Sequence, residues 1–135
     1  MIRFVLTIAF VMQAAVAFGG EVMESSYVLP DGHRVLRHEV LVDARAEELW
    51  KAWPADPSSE VVSYLPNEML SLRHPHLAKK VFTVIEFVRI EDPSTTRVRV
   101  SMLPYGRGAE WDAVYDKFRA ANAEMLRKLE EKHRK

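Results

Sequence analysis

Runs of alternating or continuous apolar residues predict five strands in this chain, because successive side chains of a strand point to opposite faces. The runs are 34–42, 61–65, 69–73, 81–90 and 95–103. A turn at 30–33, with the sequence Pro-Asp-Gly-His, connects the first run to a short apolar arm, 27–29. Residues 91–94 form a second predicted turn, so the last two runs are expected to pair as an antiparallel hairpin.

Two other segments follow the helical period instead. The segment 44–53 carries apolar residues at spacings of three and four, with Asp43 as its predicted N-cap and Pro54 as its end. A longer helix is predicted from Ala109 to about Lys132, since acidic residues open it and basic residues close it, as the helix dipole favours. The predicted buried stripe of this long helix is Trp111, Val114, Tyr115, Phe118, Asn122, Met125 and Leu129.

The composition limits the classes of function. The chain has 135 residues, which suits one globular domain. It has no cysteine, and this excludes disulfides, zinc sites with thiolate ligands and a cysteine nucleophile. Basic and acidic residues balance at 19 each and form no basic stripe, so nucleic acid is not an expected partner.

The N-terminal residues have the layout of a secretory signal peptide. Arg3 precedes an apolar run, 4–12, and small residues follow in the order Ala15-Val16-Ala17. Cleavage is expected after Ala17, with a membrane anchor as the alternative; it would remove one basic and no acidic residue and leave a formal charge of −1. The mature protein is then expected to be secreted or periplasmic and to have no membrane association.

The order of elements is strand, short helix, several antiparallel strands and long C-terminal helix. The stretches RVLRHEVLVDARAEELWKAW, YLPNEMLSL and TRVRVSMLPYGRGAEWDAVYDKFRAANAEMLRKLEE are together similar to the START-like SRPBCC superfamily, in particular to its branch of activators of heat-shock protein ATPase. The resemblance covers about 35–131. Its motifs are the strand-helix entry ending at Trp50, a Pro-x-x-Met-Leu bend, a Thr-Arg-Val strand and Gly-x-x-Trp-Asp at the start of the long helix.

The resemblance implies an α+β helix-grip fold, in which a curved antiparallel sheet is covered by the long C-terminal helix. A deep apolar cavity between them would hold a small hydrophobic molecule or lipid. The chain then divides into a signal peptide, 1–17, an N-terminal arm or hairpin, 18–34, and the domain, 35–135. Family members carry several tens of residues between the first helix and the Pro-x-x-Met-Leu bend, including a second short helix and two strands. Here 55–60 stands in their place, so the domain is predicted to be shortened.

Three outcomes of this shortening are compatible with the sequence. The pocket could stay open and expose an apolar patch that drives association. The arm 27–35, or a second subunit in a homodimer, could fill the gap. The deletion could also reflect a decayed gene or a mistaken reading frame.

Six residues are candidates for the ligand-binding site implied by the resemblance, although aromatic residues at strand and helix spacing are more often plain core. They are His38, Tyr64, Phe87, Trp111, Tyr115 and Phe118. Weak candidates for acid–base catalysis are His38, which can move a proton near neutral pH, and Glu86. A buried Glu86 would need a partner such as Arg99 or His38.

Metal and cofactor chemistry have little support in the sequence. His74-Pro75-His76 offers two ligands where a closed zinc site has four, so a solvated loop is expected there. Gly106-Arg107-Gly108 is interpreted as the hinge into the long helix rather than as an anion site. No cofactor fingerprint is present, and neither a cofactor nor a metal is expected.

Three classes of function remain open at this point. The leading hypothesis is an exported, non-enzymatic module that holds a hydrophobic or amphipathic molecule between sheet and C-terminal helix. The second is an enzyme similar to polyketide cyclases or aromatases, with His38, Tyr64 and Glu86 as acid–base candidates. The third is a protein-interaction domain, including a degenerate member of the family. Binding leads because no residue set resembles a known catalytic arrangement.

Overall fold

The computed structural model describes residues 20–53, 59–73 and 81–135. The described part of the chain contains seven strands and two helices. In chain order they are β1 (Met23–Glu24), β2 (Tyr27–Val28), β3 (Arg34–Val42), α1 (Ala46–Ala52), β4 (Glu60–Leu65), β5 (Met69–Arg73), β6 (Phe82–Arg89), β7 (Thr96–Tyr105) and α2 (Ala109–His133). Neither described helix is long and apolar enough to cross a membrane.

The strands form one curved antiparallel sheet. Its order is β1, β3, β7, β6, β5, β4, and β2 pairs with β3 beside β1. The predicted hairpin is confirmed, since β6 and β7 pair from Arg89 opposite Thr96 to Phe82 opposite Leu103. The turn before β3 is also as predicted: Gly32 has φ 91° and its N–H donates to the carbonyl of Leu29 at 2.9 Å.

The strand register assigns side chains to two faces of the sheet, because residues directly opposite each other in a pair point the same way. One row across the sheet consists of His38, Val100, Ile85, Leu70 and Tyr64. The neighbouring row, on the opposite face, consists of Glu39, Arg99, Glu86, Met69 and Leu65. The long helix α2 packs over the first face, which we call the inner face. The fold is therefore α+β of the helix-grip type, as the sequence predicted.

The short helix α1 begins later than predicted, at Ala46, and Arg45 rather than Asp43 occupies its N-cap position. The prediction failed because the chain makes a tight turn at the end of β3. The N–H of Ala44 donates to the carbonyl of Val42 at 2.8 Å, and the hydroxyl of Thr96 donates to the carbonyl of Ala44 at 2.7 Å. Ala44 is thereby fixed in the core, and the first helical turn forms only after it.

The predicted stripe of α2 faces the core: Asn122 is buried, and the other residues of the stripe are partly buried and pack on the two core clusters. The helix also buries Leu126, which is fully enclosed, and Glu130, neither of which the stripe included. Glu130 lies against the N-terminal chain, where a side chain at Gly20 would meet its carboxyl group at 3.0 Å. Gly20, which has no side chain and a positive φ of 66°, therefore lets the chain pass close over the helix. The aromatic residues near the start of α2, in contrast, are only partly buried.

Arg34, at the start of β3, fixes the N-terminal end of α2 to the sheet. Its guanidinium donates to the carbonyl of Gly106 at 2.7 Å, forms an ion pair with Asp112 at 2.8 Å and lies 4.5 Å from the ring centre of Tyr115. Gly106 itself has no room for a side chain, because a Cβ there would lie 2.6 Å from Nε1 of Trp111. The beginning of α2 is held by polar and aromatic contacts together.

The edge strand β4 differs from the rest of the sheet because all six of its residues are exposed. Four of them are large and apolar, with exposed fractions between 43% and 60%. They are Val61, Val62, Tyr64 and Leu65. The shortened connection that the sequence places after α1 falls largely within 54–58, outside the described residues.

Candidate functional site

His38 is the most enclosed polar candidate, as its place on the core face of β3 predicted. It is 2% exposed and lies on the inner face under α2. Its Nε2 is 3.8 Å from the carboxylate of Glu24, too far for a hydrogen bond, and its Nδ1 has no hydrogen-bond partner in the described structure. Glu24 instead accepts from the guanidinium of Arg119 on α2 at 2.6 Å. His38 thus lies beside an ion pair without being bound by it.

The charge states of His38 and Glu24 follow from their burial and from their neighbours. Burial lowers the pKa of His38, and the nearby Glu24 only partly opposes this, while Arg119 adds to it. Burial alone would raise the pKa of Glu24, but hydrogen bonds from Arg119 and Ser26 outweigh it and the net pKa is lowered. Near neutral pH the pair Glu24–Arg119 is therefore charged, and the imidazole of His38 is neutral.

A second group of polar atoms surrounds the sulfur of Met102 on the inner face. The amide of Asn122 on α2 lies 3.2 Å from this sulfur, and the hydroxyl of Tyr105 lies 3.6 Å from it. Thr83, opposite Met102 in the register, is 7% exposed and its hydroxyl oxygen has no partner among the described residues. Burial raises the pKa of Tyr105, which keeps its hydroxyl protonated. The interior here offers neutral hydrogen-bonding groups rather than charges.

Three of the predicted ligand residues, Trp111, Tyr115 and Phe118, come together where α2 starts. Their rings pack on a cluster that contains Tyr105, whose ring centre is 6.0 Å from Trp111 and 5.1 Å from Tyr115, both edge to face. This geometry is that of close aromatic packing. It joins the helix to the sheet and leaves these three residues only partly buried.

The other two aromatic candidates lie in a different cluster. Phe87 is 3% exposed and packs edge to face on Trp50 and Trp53, with ring centres 6.0 Å and 5.4 Å away. Tyr64 shares the inner face but is 60% exposed on β4, with its ring 6.2 Å from that of Trp50. The five aromatic candidates therefore fall into two clusters, and His38 is the one polar candidate of the six.

Glu86 lies on the face of the sheet that α2 leaves uncovered. Its carboxylate is 3.8 Å from Arg99, which donates to Glu39 at 3.0 Å. Of the two partners considered for it, Arg99 is therefore the neighbour and His38 is not. His38 and Glu86 point to opposite faces, so the sheet separates the two acid–base candidates.

The structure has an apolar groove that the sequence did not predict. It lies between α1 and the C-terminal half of α2 and has a volume of about 230 Å³. Its lining residues are Leu49, Ala52, Trp53, Met125, Lys128, Leu129, Lys132 and His133. None of the six predicted ligand residues is among them. The available signal was the short connection after Trp53, where the sequence predicted a shortened domain.

Metal binding finds no support in the described structure. No group of three or more histidine, aspartate or glutamate residues within 20–53, 59–73 and 81–135 could hold a metal ion. The pair His74 and His76 lies outside these residues.

Comparison with known proteins supports the fold and gives no activity. No protein-family model matches the chain, and no curated protein is similar to it in sequence. Among solved structures, the chain is similar to CalU16 from Micromonospora echinospora, with a TM-score of 0.55 and 11% identity over 80% of each chain. At this identity the likeness concerns the helix-grip fold and does not extend to the branch of heat-shock ATPase activators.

Proposed function

We propose that this protein is a non-enzymatic domain that binds a small apolar or amphipathic molecule. The observation that carries the proposal is the groove between α1 and α2. Five of its eight lining side chains are apolar: Leu49, Ala52, Trp53, Met125 and Leu129. Binding sites for small molecules are concave and mostly apolar, with a few polar groups. At about 230 Å³ the groove is small for such a site, which favours a compact or short-chain ligand.

Binding is favoured over acid–base catalysis by the placement of the candidate residues. A general acid and base acting on one substrate must both come within hydrogen-bond reach of it. His38 and Glu86 lie on opposite faces of the sheet, and the hydroxyl of Tyr64 belongs to an exposed edge strand. The neutral His38 and the unpartnered hydroxyl of Thr83 would instead suit a bound polar group or water beneath α2.

Export and family membership are part of the same proposal. The charged start, apolar run and small residues of 1–17 support a cleaved leader, so the binding domain would act outside the cytoplasm. The motifs between 35 and 131 support a divergent, shortened relative of the START-like SRPBCC superfamily. The intact mass of the purified protein tests the leader, because cleavage after Ala17 gives a chain that begins at Phe18.

The binding proposal is tested with the uncharged fluorescent probe N-phenyl-1-naphthylamine. Ala52 is exposed and lines the groove, so Ala52→Phe should fill the groove without disturbing the core. We expect the wild-type protein to bind the probe and Ala52→Phe to weaken binding about tenfold or more. Ala120→Phe, at an exposed position of α2 outside the groove lining, is the matched control.

Two results would contradict the proposal. The wild-type protein could leave the probe unbound, or both phenylalanine variants could bind it as the wild type does. Native mass spectrometry of the same preparations adds an independent observation, since a co-purified ligand appears as extra mass that is lost on denaturation. We expect Ala52→Phe to carry less of this mass than Ala120→Phe.

A further inference from the structure

We infer that the groove between α1 and α2 takes an amphipathic anion, with its apolar part on the groove floor and a carboxylate at the rim. This inference rests on the proposed binding function and adds the chemical class of the ligand. The distribution of charge around the groove is the observation behind it.

The floor and the rim of the groove come from different residues. The floor is apolar and combines one side of α1 with one side of α2: Leu49, Ala52, Trp53, Met125 and Leu129. The remaining lining residues all lie on α2 and are all basic in type: Lys128, Lys132 and His133. No carboxylate lines the groove among the described residues. A ligand with an apolar body and one negative group matches this division.

The basic residues at the rim have hydrogen-bond donors that no other described residue fully occupies. Lys132 forms no ion pair in the described structure, and Lys128 has only Glu124, at 3.9 Å. Glu124 also accepts from Nη2 and Nε of Arg127, at 2.6 Å and 3.0 Å, so its charge is largely satisfied elsewhere. The buried Nε2 of His133 has no partner among the described residues. A carboxylate at the rim could accept hydrogen bonds from these groups, and such charge-assisted bonds are the stronger kind.

A purely structural role of the same residues makes a different prediction. Basic residues in the last turn of a helix offset the negative end of the helix dipole. If Lys128 and Lys132 served only in this way, their replacement would change the thermal stability of the protein. The choice between ligands of different charge would then stay the same.

The experiment displaces N-phenyl-1-naphthylamine with octanoate, octanol and octylamine, which share one chain length and differ in the head group. For the wild-type protein at pH 7.5, we expect octanoate to displace the probe at a concentration about tenfold lower than octanol, since a charge-assisted contact is worth that much. Octylamine should be the weakest. For carboxylates whose chains are short enough to lie on the floor of the groove, each added methylene should lower the dissociation constant about fourfold.

The variant Lys128→Gln/Lys132→Gln tests the rim directly. We expect it to lose the preference for octanoate over octanol, so that the two displace the probe at about the same concentration. Lys117→Gln is the matched control, because Lys117 is an exposed lysine of the same helix outside the groove lining. Raising the salt concentration should reduce the wild-type preference, as screening weakens exposed charge pairs.

The outcomes separate the two proposals. Equal displacement by octanoate and octanol, or the same loss of preference in Lys117→Gln, would contradict the inference that the ligand is an anion. The proposal that the apolar groove binds a small molecule would still stand. A wild-type protein that does not bind the uncharged probe would contradict both the proposed binding function and the inference of an anionic ligand. Circular dichroism and thermal unfolding of each variant check that the fold is retained.

Discussion

The centre and the β4 edge of the sheet contain similar residues in very different surroundings. Strand β7 pairs with β3 and with β6 over eight positions each, and the inner side chains of these strands are covered by α1 and α2 together. Val98 and Val100 in the centre are at most 1% exposed, whereas Val61 and Val62 in β4 are 55% and 43% exposed. The type of residue does not decide its burial. What decides it is whether another element covers the strand.

Within the described residues, neither helix covers β4. The ring of Trp50 on α1 lies 6.2 Å from that of Tyr64, which is still 60% exposed. Exposed apolar edge strands of this kind are prone to pair with other chains.

The largest expected difference between the two regions is in the cost of removing a leucine side chain. Leu126 is completely buried where α2 meets the sheet, so Leu126→Ala should lower the free energy of unfolding by about 2 to 5 kcal/mol. Leu65→Ala makes the same chemical change on β4, where the side chain is 53% exposed, and should cost well under about 1 kcal/mol. Urea denaturation of both variants gives the two values.

Comparable losses in the two leucine variants would contradict the comparison. They would mean that β4 is covered in solution, by a second copy or by residues outside the described ranges. Sedimentation of the same samples would tell these cases apart.

A smaller effect is expected from His38, the polar residue of the covered region. Its pKa is lowered from 6.5, so between that value and its lower folded value the unfolded chain binds more protons than the folded one. The stability of the protein should therefore fall as the pH decreases from about 7 to 5. His38→Leu should remove much of this dependence and leave stability at pH 7 unchanged or higher, because an unpartnered buried nitrogen is also removed.

Thermal unfolding at several pH values above 5 measures this effect. The lower limit matters because carboxylates with lowered pKa, such as Glu24, lose their contribution only as the pH falls below about 4.5. His33→Gln is the control, since His33 is exposed and pairs with Asp31 on the surface. A pH dependence that survives in His38→Leu and disappears in His33→Gln would contradict the assignment.

The smallest effect on stability, and the clearest on association, is expected at β4. Tyr64→Lys/Leu65→Lys places one charge on each face of the strand. We expect little change in unfolding, and a shift toward monomer if the homodimer, one of the outcomes that the sequence left open, forms through this edge. Sedimentation velocity over a range of protein concentrations measures it. Tyr27→Lys, at the opposite side of the sheet, is the control; an equal shift there would place the association elsewhere.

Much of the fold was predictable because it depends on local patterns. Alternation placed β3 and the β6–β7 hairpin within a residue or two, and the charge order placed the ends of α2. Asp43 shows the limit: it has the chemistry of an N-cap, but a backbone turn fixed by Thr96 moves the helix start beyond it. The burial of Leu126 and Glu130 in addition to the predicted stripe likewise depends on how α2 crosses the sheet, which its own residues do not encode.

The site was less predictable than the fold. His38 was expected on an enclosed face and lies there, whereas Glu86 is not buried and lies 3.8 Å from Arg99 on the other face. The groove was missed because a cavity arises where two apolar surfaces fail to fill the space between them. Leu49 and Leu129 each look like ordinary core residues in the sequence, and only the crossing of α1 and α2 leaves room between them.

The attachment of α2 by Arg34 has a mechanical consequence. The helix has 25 residues and is about 37 Å long, so a tilt of about 5° around its start would move the far end by about 3 Å. Such a tilt is opposed at a second place, because Leu126 and Glu130 are buried in the C-terminal half of the helix. That half forms one wall of the groove. The wall is therefore held from both ends of the helix, and a ligand would meet a groove that is already formed.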